Sequence, residues 1–137
     1  MNAHQIQLVR RSFALVESRT LQAGALFYDK LFERDPSVSM LFRTDMAAQS
    51  QRLFEMIGDA VALLDHPEQL DAVLAVLGAR HVAYGVHEEH YDAVGGALLD
   101  TLAASLGEAF TPVVREAWAD FYVRVSRVMR ERAYQPA

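Results

Sequence analysis

Three polar side chains stand where the helical pattern of the sequence predicts apolar ones. His81 projects from the same helix face as four preceding apolar residues, Leu70, Val73, Leu74 and Leu77. Tyr28 shares a predicted inner face with Leu21, Ala25 and Phe32, and Gln49 shares one with Met46, Leu53, Ala60 and Leu64. The three predicted helices therefore present an imidazole, a phenol and an amide to the interior.

Each of these groups taken singly has an ordinary structural explanation. A histidine on an apolar face is more often a core residue with a satisfied hydrogen bond than a ligand, and an inward tyrosine usually bonds a carbonyl. Three such groups in one small domain each need a partner, at about 1–3 kcal/mol per unsatisfied group. One neutral imidazole suits a planar metal macrocycle, with hydroxyl and amide donors opposite it for a small polar ligand. The pattern alone leaves this as one hypothesis among several for a helical bundle.

The helices that would position these groups follow from periodicity and from proline. Apolar residues recur at helical spacing along the chain, and no segment alternates long enough to predict a strand. Asp35-Pro36, His66-Pro67 and Thr111-Pro112 each separate one helix from the next, with Thr111 as an N-cap. The sequence predicts an all-α domain with helices over residues 3–18, 20–34, 36–42, 45–64, 67–83, 88–107 and 111–133.

Composition excludes several classes of function. A net charge of −5 argues against binding a nucleic-acid backbone. The absence of cysteine excludes disulfides, thiolate metal sites and cysteine nucleophiles. No leader peptide or membrane span is evident, so we expect a soluble cytoplasmic protein. The basic residues near the C-terminus, Arg124, Arg127, Arg130 and Arg132, have the spacing of a solvated helix face.

The pair His87 and His90 invites a metal-binding interpretation, since residues three apart on a helix are neighbours. The spacing differs from the zinc-protease motif, in which the two histidines are four apart. Glu88 and Glu89 fit better as acidic residues in the first turn of a helix. We therefore expect no metal site there.

Five short motifs resemble those of one protein family. They are Leu-Phe-Tyr-Asp-Lys-Leu-Phe at 26–32, Asp-Pro-Ser-Val-Ser-Met-Leu-Phe at 35–42, Arg-His-Val-Ala-Tyr-Gly-Val at 80–86, His-Tyr-Asp-Ala-Val-Gly at 90–95 and Ala-Trp at 117–118. In order and spacing the chain resembles bacterial single-domain haemoglobins, which are related to flavohaemoglobin haem domains and neuroglobin-like bacterial globins. The resemblance implies one globin domain over residues 1–137, with helices packed three over three around haem b.

The resemblance implies a role for each candidate residue. His81 matches the proximal histidine that ligates the haem iron, Phe42 matches a phenylalanine packed on the haem, and Leu53 matches an apolar residue over the distal face. Tyr28 and Gln49 match the distal residues that hydrogen-bond a gas ligand.

Three further positions complete the predicted cofactor site. Arg52 matches a basic residue that often meets a haem propionate, although a plain surface arginine fits the sequence nearly as well. Val86 is a predicted haem contact after the Gly85 break. Tyr91 matches a tyrosine that hydrogen-bonds near the proximal histidine, and it heads an apolar stripe that predicts an inward side chain.

The sequence departs from the flavohaemoglobin pattern in two places. The glutamate that completes the proximal network there corresponds to Ala133 here, and Glu131 belongs to the charged face of its helix. A carboxylate on the second nitrogen of the histidine would raise its basicity, so peroxidase-like activation is not supported. The chain ends at Ala137, where flavohaemoglobins continue into flavin and nicotinamide domains, so turnover would need an external reductase.

The resemblance implies reversible binding of O₂, and of CO and NO, with nitric oxide dioxygenation if a reductase restores ferrous iron. Two alternatives remain: an O₂ or redox sensor that acts through a partner protein, and a haem-free module that serves only protein interaction. The retention of His81, Phe42 and Tyr28 in matching register favours haem binding over the haem-free module. The oligomeric state is open.

Overall fold

Helices account for nearly all of the chain that the structure, a computed structural model, describes, namely residues 1–41, 45–83, 87 and 89–133, without the side chains of residues 82, 83, 132 and 133. The α-helices are α1 (Ala3–Glu17), α2 (Thr20–Arg34), α3 (Met46–Ala62), α4 (Pro67–Ala83), α5 (His90–Leu106) and α6 (Pro112–Ala133), and 3₁₀ helices span Pro36–Leu41 and Gly107–Ala109. These ranges contain no strand, which confirms the all-α prediction. None of the described helices has the length and apolar character needed to cross a membrane.

Side-chain caps begin several of these helices. Asn2 and Gln5 form a capping box at α1, in which each side-chain oxygen accepts from the backbone N–H of the other residue. Asp45 accepts from the backbone N–H of Ala47 at 2.9 Å at the start of α3. The predicted cap at Thr111 is confirmed, since its hydroxyl accepts from the backbone N–H of Val114 at 3.3 Å.

The buried interior divides into two clusters that meet at Leu53. The larger cluster is centred on Trp118, which is fully buried and donates from Nε1 to the Ser12 hydroxyl at 2.8 Å. The smaller cluster contains Tyr28 with Phe27, Leu31, Val38 and Ala97. Leu53 is half-buried and packs against both clusters. Leu53 is thus the residue that joins the two clusters among those that the structure describes.

The predicted inner faces of α2 and α4 need correction at their edges. Leu21, assigned to the inner face of α2, is 58% exposed, and Val73 of α4 is 37% exposed. The face of α2 that is buried consists of Ala23, Gly24, Phe27, Tyr28 and Leu31. Ala25 of α2 is exposed as well, so the α2 stripe lies to one side of the buried face. On α4 the stripe residues Leu70 and Leu74 are fully buried, and only the edge residue Val73 is exposed.

Helices α2 and α3 cross in close contact at Gly24. A Cβ atom added to Gly24 would lie 2.2 Å from the Cβ atom of Ser50, which is itself 2% exposed. Since α2 carries Tyr28 and α3 carries Gln49, this crossing fixes the separation of the two predicted distal residues.

We expect Gly24→Ala to destabilise the fold by about 2 kcal/mol, and so to lower Tm by roughly 5–10 °C, because the two helix backbones must separate. The matched control is Gly96→Ala in α5, where an added Cβ would meet only the flexible guanidinium end of Arg34. Thermal unfolding followed by circular dichroism measures both. Equal Tm values for Gly24→Ala and Gly96→Ala would contradict the close-crossing explanation.

Candidate functional site

His81 occupies the last turn of α4 and is half-buried. Its Nδ1 lies 2.7 Å from the carbonyl oxygen of Leu77, one helical turn earlier. A carbonyl oxygen only accepts, so Nδ1 carries the ring proton and Nε2 of the neutral imidazole has a free lone pair. Among the residues that the structure describes, no polar group pairs with Nε2.

This arrangement is the one that a metal-ligating histidine needs. A hydrogen bond from the far ring nitrogen to a backbone carbonyl fixes the tautomer and the orientation of the ring, and it raises the basicity of the ligating nitrogen. The helical spacing of Leu77 and His81 supplies this bond without any other element of the fold. The donor set, one oriented imidazole with no thiolate or carboxylate, fits a haem rather than a free metal ion.

Tyr28 lies in the smaller cluster, as predicted, and is 6% exposed. Its ring packs edge-on against Phe27, with the centroids 5.1 Å apart, and lies tilted against Phe32 at 6.0 Å. The hydroxyl lies 3.5 Å from the backbone carbonyl oxygen of Gln49, at the outer limit of a hydrogen bond. The phenol ring is therefore packed against two aromatic neighbours, and its hydroxyl makes a long contact with the Gln49 carbonyl.

Burial raises the pKa of Tyr28 to about 12, an effect that the positive charge of Arg52 partly offsets. A tyrosine is already protonated at neutral pH, and the shift extends to higher pH the range in which the hydroxyl is a hydrogen-bond donor. The same effect places the charge of Arg52 close enough to act on Tyr28. The Arg52 side chain is exposed.

The structure describes some of the other residues predicted to contact the cofactor or its ligand. Gln49 is half-buried, and Leu53 lies one helical turn further along α3, between the two clusters. Phe42 and Val86 lie outside the described residues.

Tyr91 of α5 is buried, at 5% exposure, as its apolar stripe predicts. Tyr122 of α6 donates its hydroxyl hydrogen to the backbone carbonyl oxygen of Tyr91 at 2.5 Å, and burial raises the pKa of Tyr122 well above its usual range. The guanidinium carbon of Arg130 lies 5.6 Å from the centroid of the Tyr91 ring, which is cation–π geometry. Glu131 is exposed, as predicted.

A cation thus faces Tyr91 in a helix that has Ala133 where flavohaemoglobins have a carboxylate. The sequence analysis assigned Arg130 only to a solvated basic face. The direction of Arg130 could have been anticipated, because Met129 and Ser126, which flank it on α6, are both buried.

His90 is the second residue whose placement the sequence analysis missed. The sequence analysis assigned Glu88 and Glu89 to the first turn of a helix and gave His90 no role, whereas His90 is buried at 7% exposure. Its Nδ1 accepts from the backbone N–H of His87 at 3.0 Å, and its Nε2 lies 4.0 Å from Oδ2 of Asp35. Within the part of the chain that the structure describes, no group of three or more His, Cys, Asp and Glu side chains could hold a metal ion.

Comparison with known proteins places this geometry in a family. The sequence profile of the family described as Globin matches residues 25–129. The neuroglobin of Dissostichus mawsoni is 31% identical over 139 residues, which cover 91% of this chain and 87% of that protein. The flavohemoprotein of Xylella fastidiosa is 28% identical over 132 residues, covering 94% of this chain and 33% of that protein. The chain spans about a third of the length of the flavohemoproteins that it matches.

The fold has close counterparts among solved structures. A Drosophila melanogaster globin superposes with a TM-score of 0.86 at 20% sequence identity, over 96% of this chain and 94% of that chain. At this identity the likeness concerns the fold. The Globin profile covers more than half of the chain and the neuroglobin match covers nearly all of it, and the chain therefore belongs to the globin family.

Proposed function

We propose that the protein binds haem b through His81 and reversibly binds O₂, and also CO and NO, beside Tyr28 and Gln49. Membership of the globin family supports haem-based gas binding. The observation that carries the proposal is the 2.7 Å contact between Nδ1 of His81 and the Leu77 carbonyl, which leaves Nε2 available as a ligand. Haem, when bound, supplies an iron that takes a gas molecule as a ligand.

The residues around Tyr28 determine the polarity of the proposed gas site. Phe27 and Leu31 are buried beside the phenol and keep water away from it. The hydroxyl, protonated at neutral pH, donates a hydrogen bond to the gas ligand, at about 0.5–1.5 kcal/mol in the net. The contact of the hydroxyl with the Gln49 carbonyl, at 3.5 Å, is at the outer limit of a hydrogen bond and is weaker than a bond to a ligand at ordinary distance would be. We therefore propose slow release of O₂.

We also propose nitric oxide dioxygenation with an external reductase, an activity whose support is the similarity to flavohemoproteins. The conversion of NO and O₂ to nitrate takes up one electron, which the reductase supplies. Arg130, a cation, faces the Tyr91 ring, and among the residues that the structure describes no carboxylate contacts the His81 ring to strengthen it as a donor. We place gas binding ahead of turnover for this reason.

The test is the visible absorption spectrum of the purified protein in ferric, dithionite-reduced and CO-bound forms. We expect a strong Soret band that shifts sharply when CO is added to the reduced protein. Absence of the band after reconstitution with haem would contradict haem binding and favour a globin-like module that acts only through protein contacts. A Soret band that CO does not shift would contradict gas binding while leaving haem binding intact.

A further inference from the structure

The turn that leads into α5 is closed by two hydrogen bonds between the same two residues. The backbone N–H of His87 donates to Nδ1 of His90 at 3.0 Å, and the backbone N–H of His90 donates to the carbonyl oxygen of His87 at 3.0 Å. Because one of the two bonds comes from the His90 side chain, an alanine at this position would leave the His87 amide without its acceptor. His90 thus determines the geometry of the turn.

The second ring nitrogen of His90 faces the end of α2. Since Nδ1 accepts, the proton of the neutral ring is on Nε2, which lies 4.0 Å from Oδ2 of Asp35. This distance is longer than a hydrogen bond, so the contact is an electrostatic one that orients the ring. The other carboxylate oxygen of Asp35 accepts from the backbone N–H and the hydroxyl of Ser37, at 3.1 and 2.6 Å, which holds the carboxylate in place.

These contacts join two parts of the chain that border the predicted cofactor site. Asp35 directly follows α2, which carries Tyr28, and His90 begins the helix that comes after His81 in the chain. The His90 side chain is only 9% exposed and that of Asp35 is 27% exposed, so both ends of the link are shielded from water. Shielding strengthens a contact that would be weak on an open surface.

We propose that His90 is a positioning residue for the haem: it closes the turn at residues 87–90 and ties that turn to the end of α2 through Asp35. The start of α5 is thereby joined to the end of the helix that carries the distal tyrosine. This inference rests on the proposed function, since it takes His81 as the haem ligand. It goes beyond that function, because His90 itself touches neither ligand nor metal.

Two substitutions separate the two contacts of the His90 ring. In His90→Asn the side-chain oxygen can occupy the position of Nδ1 and accept from His87, whereas His90→Gln can place an amide N–H where Nε2 faces Asp35. His90→Ala removes both contacts. The control is His66→Ala, since the His66 side chain is 58% exposed and its ion-pair contact is only to the adjacent Asp65.

The first measurement is amide hydrogen exchange in the peptide that contains His87, which requires no haem. We expect exchange of the His87 amide to be about tenfold faster in His90→Ala and close to wild type in His90→Asn. The second is the rate of haem transfer to excess apomyoglobin, together with the iron–histidine stretching band in the Raman spectrum of the reduced protein. We expect about tenfold faster haem loss and a shifted band in His90→Ala, with His90→Asn close to wild type and His90→Gln in between.

Each outcome decides the matter. Unchanged exchange at His87 in His90→Ala would overturn the closed turn, and haem loss equal to that of His66→Ala would overturn the positioning role. A lower Tm in His90→Ala without any shift of the iron–histidine band would show a role in stability alone, which also contradicts the inference. If the wild-type protein retains haem, these results contradict only the inference about His90. If the wild-type protein shows no Soret band, the proposed function is contradicted as well.

Discussion

Substitution of His81 by glycine is expected to abolish stable haem binding while leaving the helical fold intact. Loss of a group that merely hydrogen-bonds a metal ligand already costs about 10–100-fold in metal affinity, so loss of the ligand itself is expected to cost more than about 100-fold. His81 is half-buried near the end of α4, and its ring bonds only a carbonyl of its own helix, so few packing contacts disappear with it. The ratio of Soret to protein absorbance after reconstitution measures the effect.

Addition of free imidazole to His81→Gly tests the assignment of His81 as the haem ligand more directly. Deletion of the side chain leaves a space next to the Leu77 carbonyl into which imidazole can bind, and we expect it to restore the Soret band of His81→Gly. His66→Gly is the matched control, because that histidine is exposed. Full haem content in His81→Gly without imidazole would show that another group ligates the iron. Equal loss in both variants would point to damage of the fold rather than of the site.

The positions of the helices could be predicted from the sequence because local chemistry decides them. Proline begins α4 and α6, and the predicted boundaries of these helices agree with the structure. The inward direction of Tyr28 and Tyr91 is confirmed, since both lie on stripes that the helical period defines. The exposure of Leu21 shows the limit of this reasoning: a stripe predicts the middle of a buried face better than its edge.

The inward direction of Arg130 could be anticipated, but the contact partners of His90 and Arg130 could not. Each partner is distant in the sequence, namely Asp35 for His90 and Tyr91 for Arg130. His90 is buried by the end of α2, and nothing in the local pattern of residues 87–90 indicates that Asp35 lies opposite. Arg130 belongs to a charged face by its spacing, yet its long side chain reaches over the ring of Tyr91. The helical period predicts which way each side chain points from its own helix, but it does not identify the residue that the side chain contacts.

The roles of some site residues are supported by both the family resemblance and the structure, and those of others by the resemblance alone. The resemblance implied a role for His81, and the structure adds the Leu77 contact that fixes the tautomer. For Phe42 and Val86 the resemblance remains the whole argument, since both lie outside the described residues. The distal role of Gln49 also stays a prediction, because its contact with the Tyr28 hydroxyl is made by the backbone carbonyl.

Substitution of Tyr28 by phenylalanine is expected to speed O₂ dissociation about tenfold, the equivalent of one hydrogen bond of about 1.4 kcal/mol. Phenylalanine preserves the packing against Phe27 and Phe32 and removes only the hydroxyl. The raised pKa of Tyr28, about 12, means that the group keeps its proton at neutral pH and loses it only as the pH approaches that value. We therefore expect the wild-type dissociation rate to stay constant from about pH 6 to about pH 10 and to rise above that range.

Stopped-flow replacement of O₂ by CO measures these rates, and Tyr122→Phe is the matched control. Tyr122 is also a tyrosine with a raised pKa, but its hydroxyl donates to the Tyr91 carbonyl between α5 and α6. Its loss is expected to lower stability and to leave the O₂ dissociation rate unchanged. An equal increase in both variants would assign the effect to loosened packing, and unchanged rates in Tyr28→Phe would remove the phenol from the gas site. A rate that rises tenfold in Tyr28→Phe alone would identify the hydroxyl as the donor, because the substitution removes that group and keeps the ring.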